Sequence, residues 1–329
     1  MVERLLPELQ RNGITTIHNI EGADSLHLLQ QLQAENKLGV RVHMLLPHQI
    51  LPALHTHSIN HEDNDLIRIG GIKIFADGTL GSQTAAMLES FEGNPGNYGL
   101  LAISAEEMRA VIHDAATLDL SIAIHAIGDR AARVALNSIA YAQALLAQTD
   151  PTAHSHKNLR YRLEHVQLIA DEDLTRMRRL GVIASIQPFH AVVDRDIAER
   201  YWGQRHRHAY AYRTMQQLCI PIALGSDAPV ETFEPLSILY AATVRCDPAM
   251  PRPPWLPEQA LSVADALRGY TLGAAYAGAE ETSKGSLSSG KLGDAVVLRE
   301  DILQVPQQYM SENAVQATIL GGKIVYGQA

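Results

Sequence analysis

The sequence predicts an α/β fold of the TIM type: a (β/α)8 barrel that lacks its first strand and carries a small C-terminal β appendage, part of a β-sandwich. Three observations lead there. Short β-branched or apolar runs alternate with longer helical stretches, the pattern of parallel βα units. Seven such runs occur, at 14–19, 41–46, 72–76, 121–125, 160–166, 182–187 and 221–225. No Gly-rich phosphate-binding fingerprint follows the first run, which counts against an open doubly wound sheet.

The helical stretches carry their own signals. Residues 24–36 place Leu26, Leu29 and Leu32 at helical spacing. Residues 104–118 open with Ser-Ala-Glu-Glu, an N-cap followed by acids in the first turn. The stretch 129–148 is Ala-rich, with Asp129 as its N-cap or first-turn acid. Residues 171–180 start with acids and end with basic residues, as the helix dipole prefers. After about residue 283 the texture changes to the turn-rich KGSLSSGKLG. Two β-like pieces follow, 294–298 and 317–326, the second broken by a Gly-Gly turn. The expected division is a barrel over 1–283 and a β-sandwich portion over 284–329.

The chain has 329 residues, 46% of them hydrophobic, enough for one large α/β core. A net charge of −9 counts against nucleic acid and anionic membranes as partners. Cys219 and Cys246 cannot form a disulfide framework and read as reduced thiols. The opening MVERLLPELQRNGITT is too charged for a signal peptide, and no apolar run reaches membrane-spanning length. The expectation is a cytoplasmic protein acting on a small molecule.

In barrels of this type, chemistry sits at the C-terminal ends of strands and in the loops after them. Four polar residues occupy such places. Lys73 lies in Gly-Ile-Lys-Ile-Phe-Ala-Asp-Gly, His125 closes Ile-Ala-Ile-His, His165 lies in Arg-Leu-Glu-His-Val-Gln, and Asp227 follows Leu-Gly-Ser. A lysine among apolar strand residues is costly to bury unless paired, neutralised or modified. Two histidines and an aspartate from separate strands can converge on a divalent metal, which brings the pKa of a bound water to about 7. Each alone has an ordinary reading. A strand-end histidine is more often structural, Lys73 can snorkel or pair with Asp77, and Gly-Ser-Asp is a common turn. Only the joint, ordered occurrence favours a metal.

The segments GGIKIFADGTLGSQTAAML, IAIHAIGDRA, YRLEHVQLI, ASIQPFHAVVD, ALGSDAPVETFEPL and GSLSSGKLGDAVVL together resemble the amidohydrolase superfamily. Within it they resemble amidohydrolase family 3, the YtcJ-like group that includes N-substituted formamide deformylases. The resemblance runs from about residue 68 to the C-terminus. It implies a barrel with one or two divalent metals, usually zinc. Lys73 matches the lysine that the family carboxylates to bridge two metals. His125 and His165 match the histidine ligands ending the fifth and sixth barrel strands. Asp227 matches the aspartate after the eighth, which touches the metal and relays a proton from the attacking water to the leaving nitrogen. The implied reaction is hydrolysis of non-peptide C–N bonds in amides, formamides or N-acyl compounds. Two alternatives stay open: a deaminase or C–O hydrolase on the same scaffold, and an inactive relative serving as a binding or assembly subunit.

The family also supplies a His-x-His pair from its first strand, and this sequence begins at what reads as the second. The pair at 55–57 lies 16 residues before Lys73 (73 − 57) and reads as a solvated helix or loop segment; those at 154–156 and 206–208 read as surface positions. The expectation is a fragment or truncated relative whose open sheet edges favour a homo-oligomer. Gln187 and His190, after the seventh run, and Arg245, beyond Asp227, are candidate substrate-binding residues. So are Asp77 and Gly78, which precede a loop at 79–84 placed to act as a lid. Glu164 is expected to alternate away from the barrel interior.

Overall fold

The computed structural model describes residues 2–56, 64–149, 159–250 and 252–328. Its main sheet has seven parallel strands ordered as in the chain: β1 (Thr16–Asn19), β2 (Arg41–Pro47), β3 (Ile67–Phe75), β4 (Ser121–Ala126), β5 (Tyr161–His165), β6 (Ile183–Ile186) and β7 (Ile222–Leu224). The sheet curls. Arg162 on β5 reaches His18 on β1 at 2.8 Å across its concave side. Among the described residues β1 and β7 are the two edges of this incomplete barrel.

Strand β3 begins at Ile67, earlier than the sequence reading placed it. The Gly70-Gly71 pair inside the strand is a packing requirement. A Cβ on Gly70 would lie 1.8 Å from the His43 ring, and one on Gly71 would lie 2.6 Å from the Ser121 carbonyl oxygen. Past the glycines the strand alternates. Ile72 and Ile74 are fully buried beneath the outer helices, while Lys73 turns to the concave side.

The helices before β6 are α1 (Val2–Arg11), α2 (Ala23–Ala34), α3 (Leu51–His55), α4 (Ala105–Thr117), α5 (Asp129–Thr149) and α6 (Asp171–Leu180). Helix α2 buries Leu26, Leu29 and Leu32. Helix α4 opens on a capping box in which Ser104 and Glu107 satisfy each other's backbone N–H, a device worth about 1 kcal/mol. Helix α6 has Asp171, Glu172 and Asp173 in its first turn and ends on left-handed Gly181. Beyond β6 come α7 (Pro188–Val193), α8 (Arg195–Trp202), α9 (Tyr212–Gln217), α10 (Pro235–Val244), α11 (Val263–Arg268) and α12 (Ala274–Ala277). No helix among the described residues is long and apolar enough to cross a membrane.

A second, antiparallel sheet is ordered β10-β9-β8, with β8 (Ala295–Leu298), β9 (Val315–Leu320) and β10 (Lys323–Gly327). It is tied to the start of the chain. Thr318 donates to the Gln10 carbonyl at 2.6 Å, and Arg41 pairs with Asp294 at 2.6 Å with both side chains almost wholly buried.

Candidate metal centre

The inward alternation of β3 makes Lys73 a buried amine, 4% exposed, with Nζ 4.9 Å from the Phe75 ring centroid. Burial pushes its pKa below the usual lysine value. The parallel register sets Phe75 beside His125 at the end of β4. His125 Nε2 lies 3.0 Å from the Gly78 carbonyl oxygen. A carbonyl only accepts, so Nε2 carries the hydrogen and Nδ1 keeps its lone pair. Burial takes the His125 pKa down to about 4, so the ring is neutral at pH 7.

Strand β5 departs from a regular strand at its end. His165 has φ 75° and Val166 φ 46°, both left-handed, a conformation costing of order 1–3 kcal/mol per non-glycine residue. This twist brings the His165 ring to 4.5 Å from that of His125 and 5.6 Å from that of His190. Its Nδ1 is buried without a hydrogen-bond partner. The same twist corrects the expectation for Glu164. Because His165 leaves the strand's alternation, Glu164 also faces the concave side, 3% exposed and joined to Arg162 at 2.6 Å. Burial pushes the Glu164 pKa up, but Arg162 and Lys73 outweigh it and hold the carboxyl below its ordinary value.

Asp227 follows β7 in a left-handed conformation, φ 61°. Burial raises its pKa to about 6, against the pull of Lys73. His190, in the first turn of α7, places Nε2 3.6 Å from Asp227 Oδ2. The Gln167 amide nitrogen lies 3.4 Å from His190 Nδ1. That pairing puts the ring hydrogen on Nε2, facing Asp227. Exchanging the two ends of the Gln167 amide would free Nε2 as a lone-pair donor instead. Ligand atoms of His165, His190 and Asp227 all lie within 4.8 Å of one another.

The remaining candidates surround this cluster. Gln187 caps the start of α7 and is 6% exposed, with Oε1 unpartnered. Asp77 accepts from the backbone amides of Ala86, Ile127 and Gly128 at 2.8, 3.1 and 2.8 Å, and stands 3.5 Å from His125 Nε2. Burial raises its pKa to about 7 despite these amides. Gly78 has no room for a side chain, since a Cβ would lie 2.0 Å from Thr84 Oγ1. The loop at 79–84 is tied down by Thr84, whose hydroxyl accepts from the Thr79 amide at 3.0 Å. Arg245 ends α10 and is 1% exposed. Of the His-x-His pairs, His55 is exposed and bonds Asp114 at 2.7 Å. His208 is exposed, while His206 is half-buried with Nδ1 2.6 Å from the Gly203 carbonyl oxygen. His57, His154 and His156 lie outside the described residues.

Sequence reasoning missed a second triplet, His18, His43 and Glu280, whose possible ligand atoms also lie within 4.8 Å of one another. Cations already occupy it. Arg162 sits 2.8 Å from His18 Nδ1, and Lys284 pairs with Glu280 at 2.7 Å. A third cation there would meet two like charges, so the triplet is a polar brace in the sheet's concave side. Only the alternation of β1 and β2 hinted at it, because Glu280 is remote in sequence.

The first cluster passes the test of donor chemistry. Neutral imidazoles and a carboxylate suit a divalent cation. The buried, unpartnered Nδ1 of His165 is what such an ion would satisfy.

A structure described as an uncharacterised metal-dependent hydrolase from Pyrococcus horikoshii superposes with a TM-score of 0.81 at 28% identity, over 93% of this chain and 60% of that one. Protein LONG AFTER FAR-RED 3 of Arabidopsis thaliana is 33% identical over 80% of this chain and 44% of its own length. N-substituted formamide deformylase of Arthrobacter pascens is 27% identical over 82% of this chain and 47% of its own. The chain thus spans about half the length of the curated relatives it matches. The model of the amidohydrolase family matches residues 1–326, and the chain belongs to that family.

Proposed function

We propose that the chain carries residues of a metal-dependent hydrolase centre acting on non-peptide C–N bonds: amides, formamides or N-acyl amines. The observation that carries this reading is the convergence of His125, His165, His190 and Asp227 at the C-terminal ends of adjacent strands, with buried imidazole nitrogens left unpartnered. Relatives described as a formamide deformylase and a metal-dependent hydrolase support it.

In this reading His125, His165, Asp227 and Lys73, carboxylated on Nζ by carbon dioxide with loss of a proton, hold one or two zinc ions. When bound, the metal supplies Lewis acidity and eases deprotonation of water. The chain's own groups do the rest. Asp227 takes the proton of the attacking water and returns it to the leaving nitrogen. Asp77 and the Gly78 carbonyl fix the His125 tautomer. Gln187, His190 and Arg245 orient a small-molecule substrate. The acidic net charge and the free thiols Cys219 and Cys246 support a cytoplasmic setting.

The test is paired. Anomalous scattering at the zinc edge counts and places metal, and a panel of N-formyl and N-acyl amines reports turnover. Asp227→Asn is expected to abolish hydrolysis while keeping most of the metal. An absence of metal at these residues, or full activity in the variant, overturns the reading. Ammonia release from amino-purine or pyrimidine analogues would mark a deaminase instead.

A further inference from the structure

A polar chain runs behind His190, from its Nδ1 through Gln167 and Asp194 to Tyr210. The Gln167 amide nitrogen lies 3.4 Å from His190 Nδ1. The Tyr210 hydroxyl donates to Asp194 Oδ2 at 2.7 Å. Burial pushes the Asp194 pKa up, and hydrogen bonds from Tyr210 and Gln167 oppose it. Gln167 and Tyr210 are buried, so water does not compete for these contacts. The backbone fixes the spacing. The Tyr210 amide donates to the Gln167 carbonyl at 2.7 Å, and the Asp194 amide donates to the His190 carbonyl at 2.8 Å. Three segments remote in sequence are thus held together: the turn after β5, the α7–α8 junction and the stretch before α9.

Asp194 decides which way the Gln167 amide faces. A carboxylate only accepts, so the amide turns its NH2 group toward Asp194. That group carries two hydrogens, one for Asp194 and one for His190 Nδ1. The exchanged orientation sets the amide oxygen against the carboxylate. It also places the NH2 group where Oε1 now stands buried and unpartnered, which trades one unmet acceptor for two unmet donors. A neutral imidazole, the form that burial favours, has one N–H. With Nδ1 accepting, that hydrogen is on Nε2. His190 Nε2 is buried without a hydrogen-bond partner and faces the cluster, 3.6 Å from Asp227 Oδ2. A buried N–H left open in this way is a place for an incoming oxygen.

We propose that Gln167 and Asp194 are positioning residues that hold His190 as a hydrogen-bond donor to a substrate oxygen and keep it out of the metal's ligand set. The inference rests on the hydrolase reading and divides the labour within the converging triplet. His165 and Asp227 face the metal. His190 offers its N–H to the oxygen on which charge builds as the carbonyl is attacked, and a donor fixed in advance costs no reorganisation at that moment.

Nitrogen NMR of the histidine-labelled chain tests this separately from turnover, because the two ring nitrogens differ widely in 15N shift according to which carries the hydrogen. The His190 signals are those missing from His190→Asn. In the chelator-treated protein Nε2 is expected to be of the N–H type and Nδ1 of the lone-pair type. Added zinc should move the His165 signals and leave those of His190 in place. Gln167→Met removes the donor to Nδ1, and Asp194→Asn removes the charge that turns the amide. In each, zinc is expected to capture His190 Nε2 and shift the hydrogen to Nδ1. Tyr210→Phe leaves the Asp194 charge in place and should keep the original pattern, which a merely structural disturbance would not. Hydrogen on Nδ1 in the unmodified protein, zinc on His190 Nε2 there, or an unchanged pattern in the Gln167 and Asp194 variants overturns the assignment. The unmodified protein decides the tautomer even where a variant fails to fold. An Nε2–H pattern with no zinc shift at His165 keeps the positioning chain and overturns the metal centre. Zinc bound by both His165 and His190 does the reverse.

Discussion

Arg162 and Glu164 stand on the same face of β5, joined Nε to Oε1 at 2.6 Å with each side chain 4% exposed. Arg162 reaches on to His18 at 2.8 Å, and Glu164 feels the charge of Lys73. A buried pair is costly to break and cheap to replace whole. Glu164→Leu and Arg162→Met are therefore each expected to cost about 3–5 kcal/mol. The double substitution should cost clearly less than their sum. Urea unfolding of the four proteins measures the coupling, and simple additivity would show that the pair acts as two independent groups.

Asp77 acts as a staple in this geometry. Its two oxygens collect amides from Ala86 and from Ile127 and Gly128, so it binds the 79–87 segment to the end of β4. Asp77→Asn turns one acceptor into a donor aimed at amide hydrogens. The expected loss is about 1–3 kcal/mol of stability. Because Asp77 also borders His125, zinc affinity of the chelator-stripped protein should fall about 10–100-fold. Unchanged zinc titrations would separate the staple from the metal centre.

Acid sensitivity should come partly from the junction of the two sheets. Burial pushes the Asp294 pKa up, but the bond from Arg41 and the Gly321 amide outweigh it and leave it lowered. A carboxyl depressed by folding adds stability that is fully present above its unfolded pKa of about 3.9 and is lost as pH falls through the folded value. Asp294→Asn should lower the melting temperature at pH 7 and flatten its decline below about pH 4. If wild type and variant decline in parallel, Asp294 contributes nothing to acid lability.

The strands were legible because period and punctuation are local properties. Each of the seven main-sheet strands overlaps a run picked out by the pattern of apolar residues, and the β appendage follows them. Two readings miss for tertiary reasons. The pattern starts the third strand at Ile72, but the strand begins at Ile67 and runs through Gly70 and Gly71, which the approach of His43 and the Ser121 carbonyl requires. Glu164 read as outward because a regular strand was assumed through His165, whose left-handed backbone is imposed by its surroundings. Partners remote in sequence left no trace: Arg41 finds Asp294, and His18 finds Arg162. Lys73, His125, His165 and Asp227 stood out as candidates because each lies in or just after a strand, and parallel strands carry their C-terminal ends to one rim.

The edges of the main sheet are unequal. At β7, the turn at 269–273 closes over the strand, with Gly273 so near the Ile222 carbonyl that a Cβ would lie 2.2 Å away. Strand β1 has β2 on one side and no strand on the other among the described residues. An open edge invites pairing with another copy, so this 329-residue chain, expressed alone, is expected to form a homo-oligomer through β1. Light scattering should give a mass above the 36.0 kDa of one chain. Thr16→Lys, which sets a charge on that edge, should shift the population toward monomer. A monomeric mass across the accessible concentration range would mean that β1 is not a docking edge, and an oligomer indifferent to Thr16→Lys would place the contact elsewhere.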